Sequence, residues 1–344
     1  MILIDAIFIN TGGAKVILES IINELRCNKI IDKYYFLFDD RLPLESYDFL
    51  VKNNFLILRT NIVLRKKFYI ENSHLYDKII CLANVPPPIY IKNIPVYILF
   101  HNAHLIKPNL KLNQFFYLIK YKLKWLYLLL KNKSSYNWIV QTKSMYKLLN
   151  SGLFVKKSKI IILPFFKEKM FPENTKKLNA QEISFAYIAD GQPQKNHLFL
   201  LKAWQILFES YKINYKLILT VSDSYPELIS QINNLQKSGL NIQNIGHVSH
   251  TDVLNLYNTI NYLIYPSLIE SFGLPLIEAA TFGCDVIAID KEYVTDVIIP
   301  SKLFSEYKTI ELVEIILELY QGHIFSKTTL VVENKIKNFI ELIA

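Results

Sequence analysis

The sequence predicts an α/β protein made of two Rossmann-like domains with parallel sheets. Three observations predict it. Short apolar runs alternate with longer stretches of helical spacing. The alternation stops in the stretch from Pro164 to Asn179 and then starts again. The 344 residues exceed one ordinary core and suit two domains of about 150 residues each. At 51% apolar residues the chain can bury two sheets, which a disordered chain cannot do.

The elements follow in order. In the first half, residues 2–9 read as a strand, Asn10-Thr11-Gly12-Gly13 as a turn, and 14–25 as a helix. Further strands are expected at 34–38, 55–58, 78–82, 96–100, 138–140 and 159–163, with helices at 112–130 and 144–149. Thr142 suits the N-cap of the latter. In the second half, strands are expected at 184–188, 216–221, 242–245, 262–265 and 285–289. Helices are expected at 196–210, 226–237, 253–257 and 275–282, and the tail 331–343 has helical spacing. The expected boundaries are 1–165, 166–325 and 326–344, the last a helix packing back on the N-terminal domain. Ligands of such sheets bind at the carboxyl ends of the strands, so a site in the cleft between two facing domains is expected.

Composition narrows the partners. No run approaches the ~20 apolar residues that span a bilayer. Met1-Ile2-Leu3-Ile4-Asp5 has no basic leader or cleavage site and reads as a strand, not a signal peptide. Cys27, Cys81 and Cys284 show no paired spacing, which argues against zinc and disulfides and fits a reducing cytosol. The net charge of +9 suggests an anionic partner: nucleic acid, phosphorylated substrate or anionic lipid. A nucleic-acid binder would gather basic residues around the cleft, whereas the motifs expected there carry glutamates and glycine loops.

The most informative window runs from Tyr265 to Ala279. A strand ends at Tyr265, a loop carries Glu270, Gly273 permits a turn that a side chain would obstruct, and Pro275 suits a first helical turn. Backbone amides at Phe272, Gly273 and Leu274 then face out of a helix N-terminus, where a phosphate can bind. Glu278, one turn in, can accept hydrogen bonds from a diol such as ribose. A plain strand-loop-helix corner with two solvated carboxylates fits the window taken alone.

This window resembles the Glu-x7-Glu signature of retaining glycosyltransferase family 4, which has the GT-B fold. Asn10-Thr-Gly-Gly-Ala-Lys15, Val140-Gln-Thr142, Leu163-Pro-Phe165, Ile188-Ala-Asp-Gly-Gln-Pro-Gln-Lys-Asn196 and Ile245-Gly-His-Val248 resemble further family stretches in the same order. The resemblance implies that Lys195 neutralises the donor diphosphate as the glycosidic bond breaks. It gives Glu270 the donor sugar and Glu278 the ribose. Ser271, Phe272, Gly273 and Leu274 would bind phosphate or sugar oxygens, with Gly191, Asn196 and Gly246 completing the nucleotide site. Gly12 and Gly13 would admit the donor phosphate from the opposite domain, and His101 would line the donor sugar.

The implied function is transfer of a hexose from a nucleotide-diphosphate sugar to a glycan or polyprenyl-diphosphate-linked acceptor, with retention, in bacterial O-antigen, capsule or lipopolysaccharide synthesis. The rivals are a GT-B nucleotide-sugar epimerase, which would need acid and base carboxylates in the cleft, and a non-catalytic binder of anionic ligands. Where many family members carry an arginine before the lysine, this chain has Gln192-Pro193-Gln194. No Asp-x-Asp triplet occurs, and Asp39-Asp40 are adjacent and point apart, so no metal and no cofactor are expected.

Residues 107–133 interleave Lys107, Lys111, Lys120, Lys122, Lys124, Lys131 and Lys133 with Phe115, Phe116, Tyr117, Tyr121, Trp125 and Tyr127. Two readings stand. The stripe faces an anionic membrane on the cytoplasmic side, or its apolar side packs on the sheet and its lysines are solvated. Asn84-Val-Pro-Pro-Pro88 is a rigid loop expected to border the acceptor.

Overall fold

The computed structural model describes residues 1–42, 54–106, 115–152, 159–167 and 183–344. The chain divides into two units, Met1–Lys169 with Glu333–Ala344, and Met170–Val332.

The first unit runs β1 (Ile2–Asp5), α1 (Gly12–Cys27), β2 (Tyr34–Asp39), β3 (Phe55–Leu58), α2 (Ile62–Asn72), β4 (Lys78–Cys81), β5 (Val96–Leu99), α3 (Phe115–Lys131), β6 (Asn137–Val140), α4 (Lys143–Ser151) and β7 (Ile160–Ile162). Its seven strands lie in the order β3-β2-β1-β4-β5-β6-β7, all parallel. β1, β2 and the inner part of β4 are buried on both faces, which is why they read as unbroken apolar runs.

The second unit runs β8 (Ser184–Tyr187), α5 (His197–Tyr211), β9 (Lys216–Leu219), α6 (Pro226–Lys237), β10 (Ile242–Asn244), α7 (His250–Tyr257), β11 (Tyr262–Tyr265), α8 (Leu274–Thr281), β12 (Asp285–Ile289), α9 (Glu292–Thr295), β13 (Ile298–Ile299), β14 (Lys302–Phe304), α10 (Thr309–Tyr320) and β15 (Thr329–Leu330). Its main sheet is parallel, in the order β10-β9-β8-β11-β12-β14, and β13 pairs antiparallel with β15. The chain then returns to the first unit as α11 (Ile336–Ile343). Ile336, Phe339, Ile340 and Ile343 form one buried stripe, with Phe339 stacked 4.3 Å from Phe165 and the helix packed on α1.

Several sequence expectations need correction. The first strand stops at Asp5, not Ile9, because the Asp5 carboxylate accepts the Ile7 amide at 3.2 Å and turns the chain; Phe8 then sits at φ 79°. The tail is helical only from Ile336, because Thr329–Leu330 pairs with β13 and Asn334 bonds the backbone of Phe166 at both N–H and C=O. Helices α2, α9 and α10 were not anticipated.

Each parallel sheet reverses its strand order at one place, between β1 and β4 in the first unit and between β8 and β11 in the second. Loops leaving the carboxyl ends of two such strands diverge and open a crevice, which is where ligands of doubly wound sheets sit.

Candidate active site

The second unit places two predicted residues at its switch point. After β8 the chain turns through Pro193–Lys195 in a 3-10 turn, and Asn196 adopts a left-handed conformation (φ 59°, ψ 36°) before α5 starts. After β11 the loop carries Glu270. Lys195 Nζ lies 2.6 Å from Glu270 Oε1, with the two side chains 20% and 14% exposed. The same Oε1 accepts Ser267 Oγ at 2.7 Å and Tyr265 OH at 3.0 Å. The loops are laced together: Leu268 N donates to Gln194 O at 2.8 Å, Asn196 Nδ2 to Pro266 O at 3.3 Å, and Tyr187 OH to Lys195 O at 2.7 Å. The cation and the carboxylate are therefore held in place by bonds between their own loops.

Gly191 lies in the same loop for a steric reason. A Cβ there would stand 2.4 Å from the Tyr225 ring. Gln192 bonds Asp190 at 2.6 Å and accepts from Gln194, so the stretch that lacks an arginine is tied to itself.

Gly273 is the N-cap of α8 at φ 73°, a conformation that strains any side chain, and a Cβ would also press on Leu276 at 3.0 Å. The first amides of a helix have no intrahelical acceptor, so this end presents N–H groups at Gly273 and Leu274, next to Ser271 and the buried Phe272. Glu278 lies one turn further along. His250 Nε2 donates to its Oε1 at 2.6 Å and Tyr257 OH to its Oε2 at 3.3 Å. Gly246 (φ 72°) lies in the turn between β10 and α7, which brings His250 to this place.

Gly12, Gly13 and His101 belong to the first unit. Gly12 (φ 65°) and Gly13 open α1, whose first turn carries no acidic residue. His101 follows β5. Its Nε2 stands 2.9 Å from the Leu82 carbonyl and 3.3 Å from Asn84 Nδ2, so the ring is held by that nitrogen. Its amide donates to Asn84 Oδ1 at 2.6 Å. Burial lowers its pKa, which keeps the ring neutral at neutral pH.

At the first unit's switch point lies a buried pair that sequence reasoning missed. Arg65 of α2 meets Asp5 Oδ2 at 2.7 Å, and Tyr69 OH donates to the same oxygen at 2.6 Å. Arg65 also donates to the carbonyls of Val85 and Pro86 at 3.1 and 3.0 Å. The Pro-rich loop is thus fastened to the end of β1 through a fully desolvated guanidinium.

Among the described residues, no group of three or more His, Cys, Asp or Glu is arranged to hold a metal ion. Asp39 is occupied by Arg41, Thr60 and the Phe8 amide. Burial raises its pKa, but those hydrogen bonds outweigh it and bring the value to about 2. Thr142 caps α4, accepting from the Met145 amide.

Residues 168–335 match the family model described as Glycosyl transferases group 1, just under half of the chain. O-antigen chain mannosyltransferase B of Escherichia coli is 33% identical over 103 residues, 29% of this chain and 27% of that protein. The capsular polysaccharide biosynthesis glycosyltransferase CapH of Staphylococcus aureus is 30% identical over 159 residues, 44% of this chain and 43% of that protein. The chain spans less than half the length of these curated relatives. HepE of Anabaena, crystallised with UDP-glucose, superposes with a TM-score of 0.68 at 16% identity, over 93% of this chain and 90% of that one. The fold is GT-B.

Within the GT-B fold, the matched unit holds Lys195, Glu270 and Glu278. The partners that hold Glu278, His250 and Tyr257, went unnoticed in the sequence. A signal for His250 was present: Ser249-His-Thr-Asp252 is a capping sequence in which Ser249 Oγ accepts the Asp252 amide. It marks the helix start, and hence the residue that faces the site.

Proposed function

We propose that this chain is a retaining glycosyltransferase that moves a hexose from a nucleotide-diphosphate sugar to a glycan or polyprenyl-diphosphate-linked acceptor in bacterial surface-polysaccharide synthesis. The observation that carries the reading is the Lys195–Glu270 pair at the β8/β11 switch point, with the N-terminus of α8 and Glu278 following on the same loop and helix. Similarity to O-antigen and capsule glycosyltransferases supports the acceptor class.

The chemistry follows from the residue types. Charge grows on the diphosphate as the sugar C1–O bond lengthens, and a fixed ammonium with helix-end amides stabilises it without reorganising. Lys195 supplies the ammonium, Gly273 and Leu274 the amides. Glu270 accepts hydroxyls of the sugar, and Glu278 those of the ribose. The acceptor oxygen bonds C1 on the face the phosphate leaves, and the acceptor proton passes to the departing phosphate oxygen. The configuration at C1 is retained. These groups supply the positive charge, so the reaction needs no divalent ion.

The acceptor is reached at an anionic membrane surface through α3. Lys107 and Lys111, and the side chains of Phe115, Phe116, Tyr117 and Lys120, lie outside the described residues. In the described part, Ile119, Leu123, Leu126 and Leu130 recur at helical spacing and are exposed, Leu123 by 61% and Leu130 by 65%. Lys122 and Lys124 are exposed beside them. An apolar stripe in solvent with adjacent lysines suits insertion at a lipid interface. Among the described residues no helix is long and apolar enough to cross a membrane, so the proposed association is peripheral, at the cytoplasmic face.

The test begins with a thermal-shift screen of UDP- and GDP-sugars, followed by single-turnover kinetics of Lys195→Ala. The rate should fall on the order of 10²–10³-fold, with donor affinity falling less, since interactions that act in the transition state show in kcat. A variant that turns over at the parental rate when saturated would remove Lys195 from the leaving-group role.

A further inference from the structure

Three tyrosines are buried together beneath the Lys195–Glu270 pair. Tyr187 ends β8, Tyr265 ends β11, and Tyr293 lies in α9. The Tyr265 ring meets Tyr187 edge-on at 5.7 Å and Tyr293 at 6.4 Å. Each hydroxyl is spent on a different part of the site: Tyr187 on the Lys195 carbonyl at 2.7 Å, Tyr265 on Glu270 Oε1 at 3.0 Å, and Tyr293 on the Ser267 carbonyl at 2.5 Å. Ser267 is itself fully buried and donates its Oγ to Glu270 Oε1 at 2.7 Å. Burial, followed by the charge of Glu270, raises Tyr187 and Tyr265 far above the usual range, so both remain protonated donors.

The consequence lies in how the donors divide between the two carboxylate oxygens. Lys195, Tyr265 and Ser267 all bond Oε1, and none of the three bonds Oε2. Three donors saturate the accepting capacity of one oxygen and fix the rotation of the carboxylate. Oε2 is left as the acceptor for a ligand hydroxyl.

We propose that Tyr265 and Ser267 are positioning residues that pin Glu270 by Oε1 and present Oε2 to the sugar part of the donor. Tyr187 and Tyr293 hold the two loops that carry this arrangement. The assignment rests on the glycosyltransferase reading and deepens it: Tyr265 and Ser267 govern recognition of the sugar, and because they bond neither Lys195, the α8 N-terminus nor Glu278, the groups assigned to the nucleotide keep their own contacts.

The experiment compares two ligands, the preferred nucleoside diphosphate alone and the corresponding nucleotide sugar. Affinities are measured by calorimetry for the parent, Tyr265→Phe and Ser267→Ala. Both substitutions keep the volume close to native, and Ser267→Ala reports on the same oxygen if Tyr265→Phe folds poorly. Each variant should bind the nucleoside diphosphate within about two-fold of the parent. Each should bind the nucleotide sugar roughly ten-fold more weakly, as expected for one lost hydrogen bond to a charged group. Their kcat should fall by about the same factor. Parental affinity of both variants for the nucleotide sugar, or equal weakening toward both ligands, would overturn the positioning role while leaving the glycosyltransferase reading intact. A parent that binds no nucleotide sugar at all would overturn both.

Discussion

His197, the first residue of α5, is 3% exposed, and neither ring nitrogen has a hydrogen-bond partner. Its ring packs 4.8 Å from Tyr187. Burial, and after it the charge of Lys195, push its pKa down to about 3, against about 6.5 for an unfolded chain. Folding therefore favours the neutral ring. Above about pH 6.5 this contribution to stability is complete. As pH falls toward 3, the unfolded state takes up a proton that the folded state refuses, and stability declines by about 1.4 kcal/mol per pH unit. The full gap corresponds to roughly 5 kcal/mol, and about half of it should be lost by pH 4.5. His197→Phe keeps a flat ring against Tyr187 and removes the titration. Urea unfolding of parent and variant, followed by far-ultraviolet circular dichroism at pH 7.5, 6.5, 5.5 and 4.5, isolates the term. The variant should gain on the parent steadily below pH 6.5. A stability difference that does not change across those four pH values would refute the reasoning.

Glu278→Gln should weaken nucleoside diphosphate binding by roughly 1.5–3 kcal/mol without unfolding the chain; calorimetry at fixed salt checks this, and unchanged affinity would take Glu278 out of the site. Transferase activity should survive EDTA, and complete loss restored by manganese would show that the donor site uses a metal after all. Replacing Lys122 and Lys124 by Gln together with Leu126 by Ser should reduce sedimentation with anionic vesicles, and raised salt should act in the same direction by screening the lysines. A parent chain that stays in the supernatant at low salt would leave α3 without a lipid role.

Much of this protein is written in local pattern. Buried parallel strands need apolar runs and surface helices need a 3.6-residue stripe, so every strand of the two main sheets except β14, and most of the helices, could be placed from residues a few positions apart. The same holds for the Tyr265–Ala279 window. A strand end, a loop glutamate, a left-handed Gly273 and Pro275 are fixed by neighbouring residues, and the structure has them as a strand, an N-cap and a helix. The ends of elements were less legible wherever a distant partner sets them. Asp5 ends β1, and its companion Arg65 lies 60 residues away. The helical tail begins late because Thr329–Leu330 is claimed by β13.

The chemistry of the site depends on strand order, which no local pattern encodes. Lys195 and Glu270 stand 75 residues apart and meet because β8 is hydrogen-bonded to β11 and not to a later strand. His250 reaches Glu278 across 28 residues because α7 packs on α8, and Tyr293 reaches Ser267 across 26 because α9 follows β12, the strand beside β11. A tyrosine in an apolar run looks like packing until its hydroxyl has a neighbour. The sequence determined which residue types were available at each strand end. Only the tertiary structure decided which ends lie side by side, because that choice is set by burial of whole sheet faces rather than by the residues that carry the chemistry.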